Sequence, residues 1–217
     1  MSPKMLFSSA QKLHVPWLML VTEPSNNLAS IVSEAVTGGV TIVQWRQKTA
    51  LKSGYDRTYS SLRAVVQEAV PLVVNTMWEV ALKLRVTNIH LPDNSITPAA
   101  ARKAVGAKAL IGKSVHSVES AREAEESGAD YLVAGTIFES LSHSDKDPEG
   151  LDFLSQVCKS VSIPVLAIGG ITPQNIGSCI AAGASGVAVL SPIMRSKNPA
   201  AAAAQYRSAL ELAWISR

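Results

Sequence analysis

Polar side chains that could bind a substrate follow a short apolar segment near residue 45. Gln44, Arg46 and Lys48 occupy alternate positions, so in an extended strand their side chains share one face. An amide followed by two cations at this spacing suits a phosphate or a diphosphate. A solvated strand end is the alternative, but Gln44 interrupts an otherwise apolar run, which favours a binding site.

Two histidines and one glutamate lie in later segments where they could transfer protons. His116 follows an apolar segment near residue 110, and His143 lies with Glu139 in the long polar loop of residues 135–150. Imidazole titrates near neutrality, so either histidine could act as a general acid or base. A polar loop of this length often closes over a substrate.

Backbone groups near the end of the chain could bind an anion. Gly169 and Gly170 follow the seventh apolar segment, and Leu190 and Ser191 follow the eighth. Glycines expose backbone N–H groups, and a helix that starts near Thr172 would add the positive end of its dipole. These loops are therefore candidates for a phosphate site, with close helix packing as the alternative reading.

Three further polar residues lie at or near strand ends. Asn75 follows the third apolar segment and Ser114 follows the fifth, so both are candidate substrate ligands. His90 lies inside the fourth segment and is interpreted as a packed residue. No histidine, cysteine and aspartate cluster has the spacing of a metal site.

The elements that must position these residues alternate eight times between a short apolar run and an amphipathic stretch. Nearly continuous apolar runs are typical of parallel strands covered on both faces. Eight such units in 217 residues predict a single α/β domain, a (β/α)8 TIM barrel over residues 1–217 with an N-terminal extension over residues 1–15. An open doubly wound sheet is disfavoured because no glycine follows the first strand. The predicted strands are Trp17–Val21, Val40–Trp45, Leu72–Val74, Asn88–Leu91, Ala109–Ile111, Ala129–Ala134, Ile163–Ile168 and Gly186–Leu190.

Charge and composition exclude several classes of protein. The 20 basic and 17 acidic residues give a net charge of +3 without basic clusters, so no nucleic-acid partner is expected. No apolar run is long enough to span a membrane. Cys158 and Cys179 cannot form a disulfide framework, which favours a cytoplasmic location.

Several stretches, taken in order, resemble the thiamin-phosphate synthase and thiazole tautomerase family. The resemblance runs from Trp17 to about Leu212 and implies a (β/α)8 barrel that binds a thiazole phosphate at Gly169, Gly170, Leu190 and Ser191. The matching stretches are VQWRQK (43–48), VVN (73–75), NIHLP (88–92), IGKSVHS (111–117), ADYLVAGTIF (129–138), IPVLAIGGIT (163–172) and GASGVAVLSPI (183–193).

Departures from the synthase pattern suggest the TenI-like branch of that family. Thr76 and Ser95 stand where synthases carry metal-binding aspartates, and His143 stands where they carry a loop lysine. The phrases His-Leu-Pro and Phe-Glu-Ser resemble the tautomerases, although Thr136 replaces the histidine of their pattern. The resemblance thus implies a thiazole tautomerase, an isomerase that transfers protons. His143 is its expected acid and base, followed by His116 and then Glu139.

Two other activities remain open on the same resemblance. The chain could be a thiamin-phosphate synthase that uses Asp93 to bind Mg²⁺, or a binding protein without activity. The favoured interpretation requires no cofactor, and predicts little or no thiamin phosphate. Its expected partner is the small-molecule thiazole phosphate, and a homo-oligomer is compatible with the sequence.

Overall fold

The computed structural model describes residues 16–47, 54–66, 68–75, 78–86, 88–140 and 147–217. Eight parallel strands pair in sequence order and close into a barrel, since β1 pairs with both β2 and β8. The strands are β1 Trp17–Val21, β2 Ile42–Arg46, β3 Leu72–Asn75, β4 Ile89–Leu91, β5 Ile111–Val115, β6 Tyr131–Ala134, β7 Val165–Ile168 and β8 Gly186–Val189. The (β/α)8 prediction is confirmed; the predicted extension, residues 1–15, lies outside the described residues.

Helices follow each strand and cover the outside of the barrel. They are α1 Leu28–Thr37, α2 Tyr55–Val65, α3 Trp78–Lys83, α4 Pro98–Val105, α5 Val118–Glu126, α6 Gly150–Ser160, α7 Ile176–Ala181, α8 Ser191–Met194 and α9 Pro199–Ile215. As expected for proline at a first helical position, Thr97 caps α4 and its hydroxyl accepts from the Ala100 N–H. Within the described ranges, no helix has both the length and the apolar character needed to cross a membrane.

Two apolar cores result from the alternation of side chains along the strands. One face of each strand packs with the helices in the larger core, which includes Val43, Ile111 and Leu132. The other face fills the barrel interior, where Trp17 and Tyr131 meet edge to face at 5.7 Å between ring centroids. Because the interior is filled, a substrate can enter only at the mouth, where the strands end.

The fifth strand and the seventh helix differ from their predicted bounds. The run Ala109–Ile111 predicted a strand that ends where β5 in fact begins, because Gly112 to Ser114 lack the apolar character of the other strands. The seventh helix begins at Ile176, four residues after the predicted start at Thr172. The Thr172 N–H donates to Oδ1 of Asn175 at 2.8 Å and the Thr172 hydroxyl accepts from the Asn175 N–H at 3.3 Å, the reciprocal pair of a capping box, and this turn leads into α7.

Both cysteines are free thiols on the outer side of the barrel. Burial raises the pKa of Cys158 to about 11 and that of Cys179 to about 12. Both side chains therefore stay protonated near neutral pH and are not activated nucleophiles.

A charged clamp holds β5 and β6 together at the end of the barrel opposite the mouth. Arg102 donates to the carbonyls of Ala109 and Gly128 and to Oδ2 of Asp130 at 2.8 Å. The same carboxylate oxygen accepts from the Ile111 N–H at 2.7 Å. The Asp130 carboxylate thus links the start of β5 to the start of β6.

Replacing Asp130 with alanine is expected to lower the free energy of unfolding by about 2 kcal/mol, because it leaves the Ile111 N–H without its acceptor and the half-buried Arg102 guanidinium without its counter-charge. Urea unfolding would measure this. Glu211→Ala is the matched control, because it breaks the exposed Arg207–Glu211 pair and should cost less than about 0.5 kcal/mol. Equal losses in the two variants would contradict a special role for the clamp.

Candidate active site

The mouth of the barrel collects the polar side chains that point inward from the first strands. Gln44 and Arg46 lie on the inner face of β2, and Asn75 lies on the inner face of β3 opposite Arg46 in the strand register. Nδ2 of Asn75 donates to Oε1 of Gln44 at 2.7 Å, and Nε2 of Gln44 contacts Sδ of Met19 at 3.4 Å. The two buried amides therefore fix each other below Arg46.

Arg46 is a half-buried cation at this mouth. Its backbone N–H donates to the hydroxyl of the buried Thr22 at 3.1 Å, which ties the end of β2 to that of β1. Burial lowers the pKa of Arg46, and the carboxylate of Glu23 raises it in part. Glu23 also accepts from Nε and Nη2 of the exposed Arg195, at 2.8 and 3.0 Å. Arginine stays protonated at physiological pH, so Arg46 offers a positive charge to an anionic ligand.

The ends of β7 and β8 form the second candidate anion site. Gly169 and Gly170 have φ of +98° and +61°, in the left-handed region that glycine tolerates best. A Cβ at Gly170 would overlap the carbonyl of Glu139 and the side chain of Phe138, so the β6 and β7 loops lie in contact here. Nδ2 of Asn175 donates to the Gly170 carbonyl at 2.9 Å and holds the turn.

The helix expected to start near Thr172 begins at Ile176, and the turn before it is closed by the hydrogen bonds between Thr172 and Asn175. Leu190 and Ser191 do lie beside the glycines, since β7 and β8 pair in register, and Ser191 begins the single turn α8. A phosphate site at these residues therefore stays a prediction.

Two of the proton-transfer candidates lie in loops at the mouth. His116 directly follows β5 and Glu139 lies on the β6 loop, and both are exposed. His143 and Lys48 lie outside the described residues, as does Thr76.

Sequence reasoning missed a hydrogen-bonded group inside the barrel. His90, on the inner face of β4, contacts the Tyr131 hydroxyl through Nδ1 at 3.1 Å and Oγ of Ser114 through Nε2 at 2.9 Å. His90 was rightly interpreted as packed, but Ser114 lies within β5 and not after it. Three polar residues at inward positions of neighbouring strands were the signal available in the sequence.

The environment of His90 keeps its imidazole neutral. Burial, and then the positive charges of Lys113 and Arg46, lower its pKa to about 3. In the unfolded chain a histidine has a pKa of about 6.5. Between pH values equal to these two pKa values, the unfolded chain binds more protons than the folded chain. The contribution of His90 to the free energy of unfolding is therefore complete above the pKa of the unfolded chain and is lost as the pH falls below it.

Acidification from pH 7 to pH 5 is accordingly expected to remove about 2 kcal/mol of the free energy of unfolding through His90 alone. Urea unfolding at both pH values would measure the loss. His90→Gln should lose less between the same pH values, whatever its stability at pH 7. His116→Gln, at an exposed position, should show the full wild-type loss, and an equal pH dependence in all three proteins would refute the assignment.

The β4–α4 loop does not fit a divalent cation. Ser95 stands where the family resemblance places a carboxylate, and its hydroxyl donates to the carbonyl of Pro92. The ammonium of Lys113 donates to the carbonyls of Pro92 and Asp93 at 3.0 and 2.7 Å. This ammonium already bonds two carbonyl oxygens of the loop and interacts with the Asp93 carboxylate, so it would repel a second cation there. Among the residues that the structure describes, no group of three or more histidine, cysteine or acidic side chains could hold a metal.

Comparison with known proteins adds a family to this geometry. The family model described as thiamine monophosphate synthase matches residues 18–193. The chain is 40% identical over 188 residues to the thiamine-phosphate synthase of Natronomonas pharaonis, which covers 84% of this chain and 87% of that protein. It is 39% identical over 207 residues to the thiamine-phosphate synthase of Haloarcula marismortui, covering 91% of this chain and 98% of that protein.

A solved structure agrees with the same relationship. Thiamine phosphate pyrophosphorylase from Pyrococcus furiosus superposes with a TM-score of 0.80 at 32% identity, covering 91% of this chain and 96% of that chain. At this identity and coverage, the similarity extends beyond the barrel architecture shared by many unrelated enzymes.

The predicted thiazole tautomerase activity is wrong. Relatives that are 39% and 40% identical over most of the chain are thiamine-phosphate synthases by name, which favours the alternative that the sequence left open. The prediction gave three loop positions, Thr76, Ser95 and His143, more weight than the similarity of the whole barrel. The isomerase assignment and its acid–base roles for His143, His116 and Glu139 are therefore abandoned, as is the expectation of little or no thiamin phosphate.

Proposed function

The chain belongs to the thiamine monophosphate synthase family, and on this premise we propose that it condenses a pyrimidine diphosphate with a thiazole phosphate. The carbon–oxygen bond to the diphosphate breaks, and a bond from that carbon to the thiazole forms. The electron pair of the broken bond leaves on pyrophosphate. The products are thiamin phosphate and pyrophosphate.

The observation that carries this proposal is the position of two candidate anion-binding features at one mouth. Arg46 ends β2 and the Gly169–Gly170 turn ends β7, with only β1 and β8 between them in the barrel. A condensation of two phosphorylated substrates needs two anion-binding sites close together at one mouth. An isomerase with one phosphorylated substrate needs only one.

Arg46 is assigned to the diphosphate. Its guanidinium presents planar N–H groups that match phosphate oxygens, and its partial burial strengthens the interaction relative to water. Negative charge accumulates on the leaving pyrophosphate as the carbon–oxygen bond breaks. A cation fixed at that point therefore stabilises the transition state more than the ground state.

The thiazole phosphate is assigned to the second feature, at Gly169, Gly170, Leu190 and Ser191. The buried amides of Gln44 and Asn75 and the partly accessible hydroxyl of Ser114, on β2, β3 and β5, are assigned to further contacts with the substrates. The small-molecule partners follow from the reaction. A cytoplasmic location and the oligomeric state stay predictions.

The test is a direct assay of the purified full chain with both substrates, with Mg²⁺ and with a chelator in place of Mg²⁺. Thiamin phosphate and pyrophosphate should appear in equal amounts and only when both substrates are present. Pyrophosphate release from the pyrimidine diphosphate alone would indicate a hydrolase. The absence of thiamin phosphate under both conditions would refute the proposal.

A further inference from the structure

A buried hydrogen-bonded chain links the barrel interior to the mouth. The Tyr131 hydroxyl, the His90 ring and the Ser114 hydroxyl follow one another at 3.1 and 2.9 Å. Tyr131 is fully buried and His90 is 2% exposed, whereas Ser114 is partly accessible. The chain therefore begins in the apolar core and ends at a hydroxyl that a ligand can reach.

The buried Tyr131 hydroxyl determines which group donates in each hydrogen bond of this chain. Burial raises the pKa of Tyr131, so its hydroxyl keeps its proton. Among the described residues, Nδ1 of His90 is the hydrogen-bond partner found for that hydroxyl. A buried O–H without an acceptor is costly, so Tyr131 donates and Nδ1 accepts.

The hydrogen bond from His90 determines where the hydroxyl proton of Ser114 points. The pKa of His90, lowered to about 3, allows only one ring proton near neutrality, and this proton must be on Nε2 because Nδ1 accepts. Nε2–H then donates to Oγ of Ser114. Since Oγ accepts from inside the barrel, the Ser114 O–H is left to donate outward.

Packing keeps this arrangement in one orientation. A Cβ at Gly112 would overlap the Tyr131 ring, so glycine at this position in β5 creates the space that the phenol occupies. Trp17 packs edge to face on the same phenol, and the His90 and Tyr131 centroids lie 5.6 Å apart. The His90 ring is 2% exposed and packs on this phenol, so Nδ1 stays directed at the Tyr131 hydroxyl.

We propose that His90 and Tyr131 are positioning residues that fix Ser114 as a hydrogen-bond donor toward an anionic phosphate oxygen of a bound substrate. The proposal rests on the proposed function for the identity of that substrate. The positive charges of Arg46 and Lys113 act on His90 and favour an anion at this end of the barrel. The oxygen belongs either to the diphosphate or to the thiazole phosphate, and the kinetic test separates these sources.

The first test reads the tautomer directly. In protein labelled with ¹⁵N-histidine, the His90 signals are assigned by their loss in His90→Gln. The wild type should carry its proton on Nε2 with Nδ1 unprotonated. Tyr131→Phe keeps the ring but removes the donor, and should shift the population toward the Nδ1–H form. A wild-type ring protonated on Nδ1, or no change in Tyr131→Phe, would overturn the proposal.

The second test asks whether Tyr131 acts through Ser114. Tyr131→Phe should lower kcat/KM for condensation about tenfold, the effect of one lost hydrogen bond. In a Ser114→Ala background the same change should have less than about a twofold effect, because the donor it positions is gone. A purely structural role predicts equal losses in both backgrounds and would overturn the proposal. The substrate whose KM rises most in Ser114→Ala identifies the oxygen.

Failure of the proposed function can be distinguished from failure of this inference. If no variant condenses the two substrates, the affinity for inorganic pyrophosphate and for inorganic phosphate replaces kcat/KM in the same four proteins. The tautomer of His90 is measured without any substrate. Non-additive binding losses together with an Nε2–H ring would then support the positioning chain, and additive losses would refute it.

Discussion

Replacing Arg46 with methionine is expected to lower kcat/KM for condensation by about 1,000-fold, the usual cost of removing one preorganised charged donor from a developing anion. Methionine keeps the length and the apolar part of the side chain, so the fold of β2 and its hydrogen bond to Thr22 should persist. Most of the loss should appear in kcat, because the charge on the diphosphate grows as pyrophosphate leaves. Steady-state kinetics with both substrates measures it.

Two companion variants define the role of Arg46. Arg46→Lys keeps the charge without the planar fork and should recover only part of the activity. Arg122→Met removes an exposed arginine of α5 and should change kcat/KM by less than about twofold. If Arg46→Met retained turnover within about fivefold of the wild type, the diphosphate would have to bind elsewhere.

Gly170→Ala is expected to lower kcat/KM by about 100-fold, with the larger effect on the KM for thiazole phosphate, because small displacements of a substrate-holding loop carry that cost. The added Cβ would overlap the Glu139 carbonyl and the Phe138 side chain, so the turn must move. The positive φ of +61° adds strain for any residue with a Cβ. Kinetics and equilibrium binding of thiazole phosphate would report the change.

Gly106→Ala separates loop displacement from backbone strain. Gly106 also has positive φ, at +106°, but nothing lies within 4 Å of its added Cβ, and it ends α4 away from the mouth. Its stability should fall while kcat/KM stays within about twofold of the wild type. Equal kinetic losses in the two alanine variants would remove Gly170 from the phosphate site.

The barrel and the shared face of Gln44 and Arg46 could be predicted from the sequence because both depend on local patterns. Short apolar runs alternating with amphipathic stretches predict the (β/α)8 barrel, and a period of two places Gln44 and Arg46 on one face. Both patterns are visible in consecutive residues. Neither depends on which strands are neighbours in the barrel.

The interior chain of His90, Tyr131 and Ser114 could not be predicted in the same way. Its members lie on three strands, and their contacts depend on the register that pairs His90 with Gly112 and Gly112 with Tyr131. The predicted end of the fifth strand at Ile111 also placed Ser114 in a loop. When a strand end is misplaced, the alternation of inward and outward side chains is lost for the residues beyond it, and their contacts cannot be inferred.

The start of α7 was predicted only approximately. Thr172 followed by Pro173 predicts a helix N-terminus, and Thr172 and Asn175 do form the reciprocal hydrogen bonds of a capping box. The regular helix nevertheless begins at Ile176, four residues after Thr172. Sequence alone does not resolve such differences.

The space that Gly112 leaves for the Tyr131 ring has a consequence for how this protein can evolve. A side chain at position 112 requires a smaller residue at 131, and any smaller residue removes the phenol that donates to His90. His90 would then be a buried imidazole with a free acceptor nitrogen, which selection would exchange for an apolar residue. Positions 90, 112 and 131 are therefore expected to change together. Among distant relatives, His90, Gly112 and Tyr131 should be retained together or replaced together.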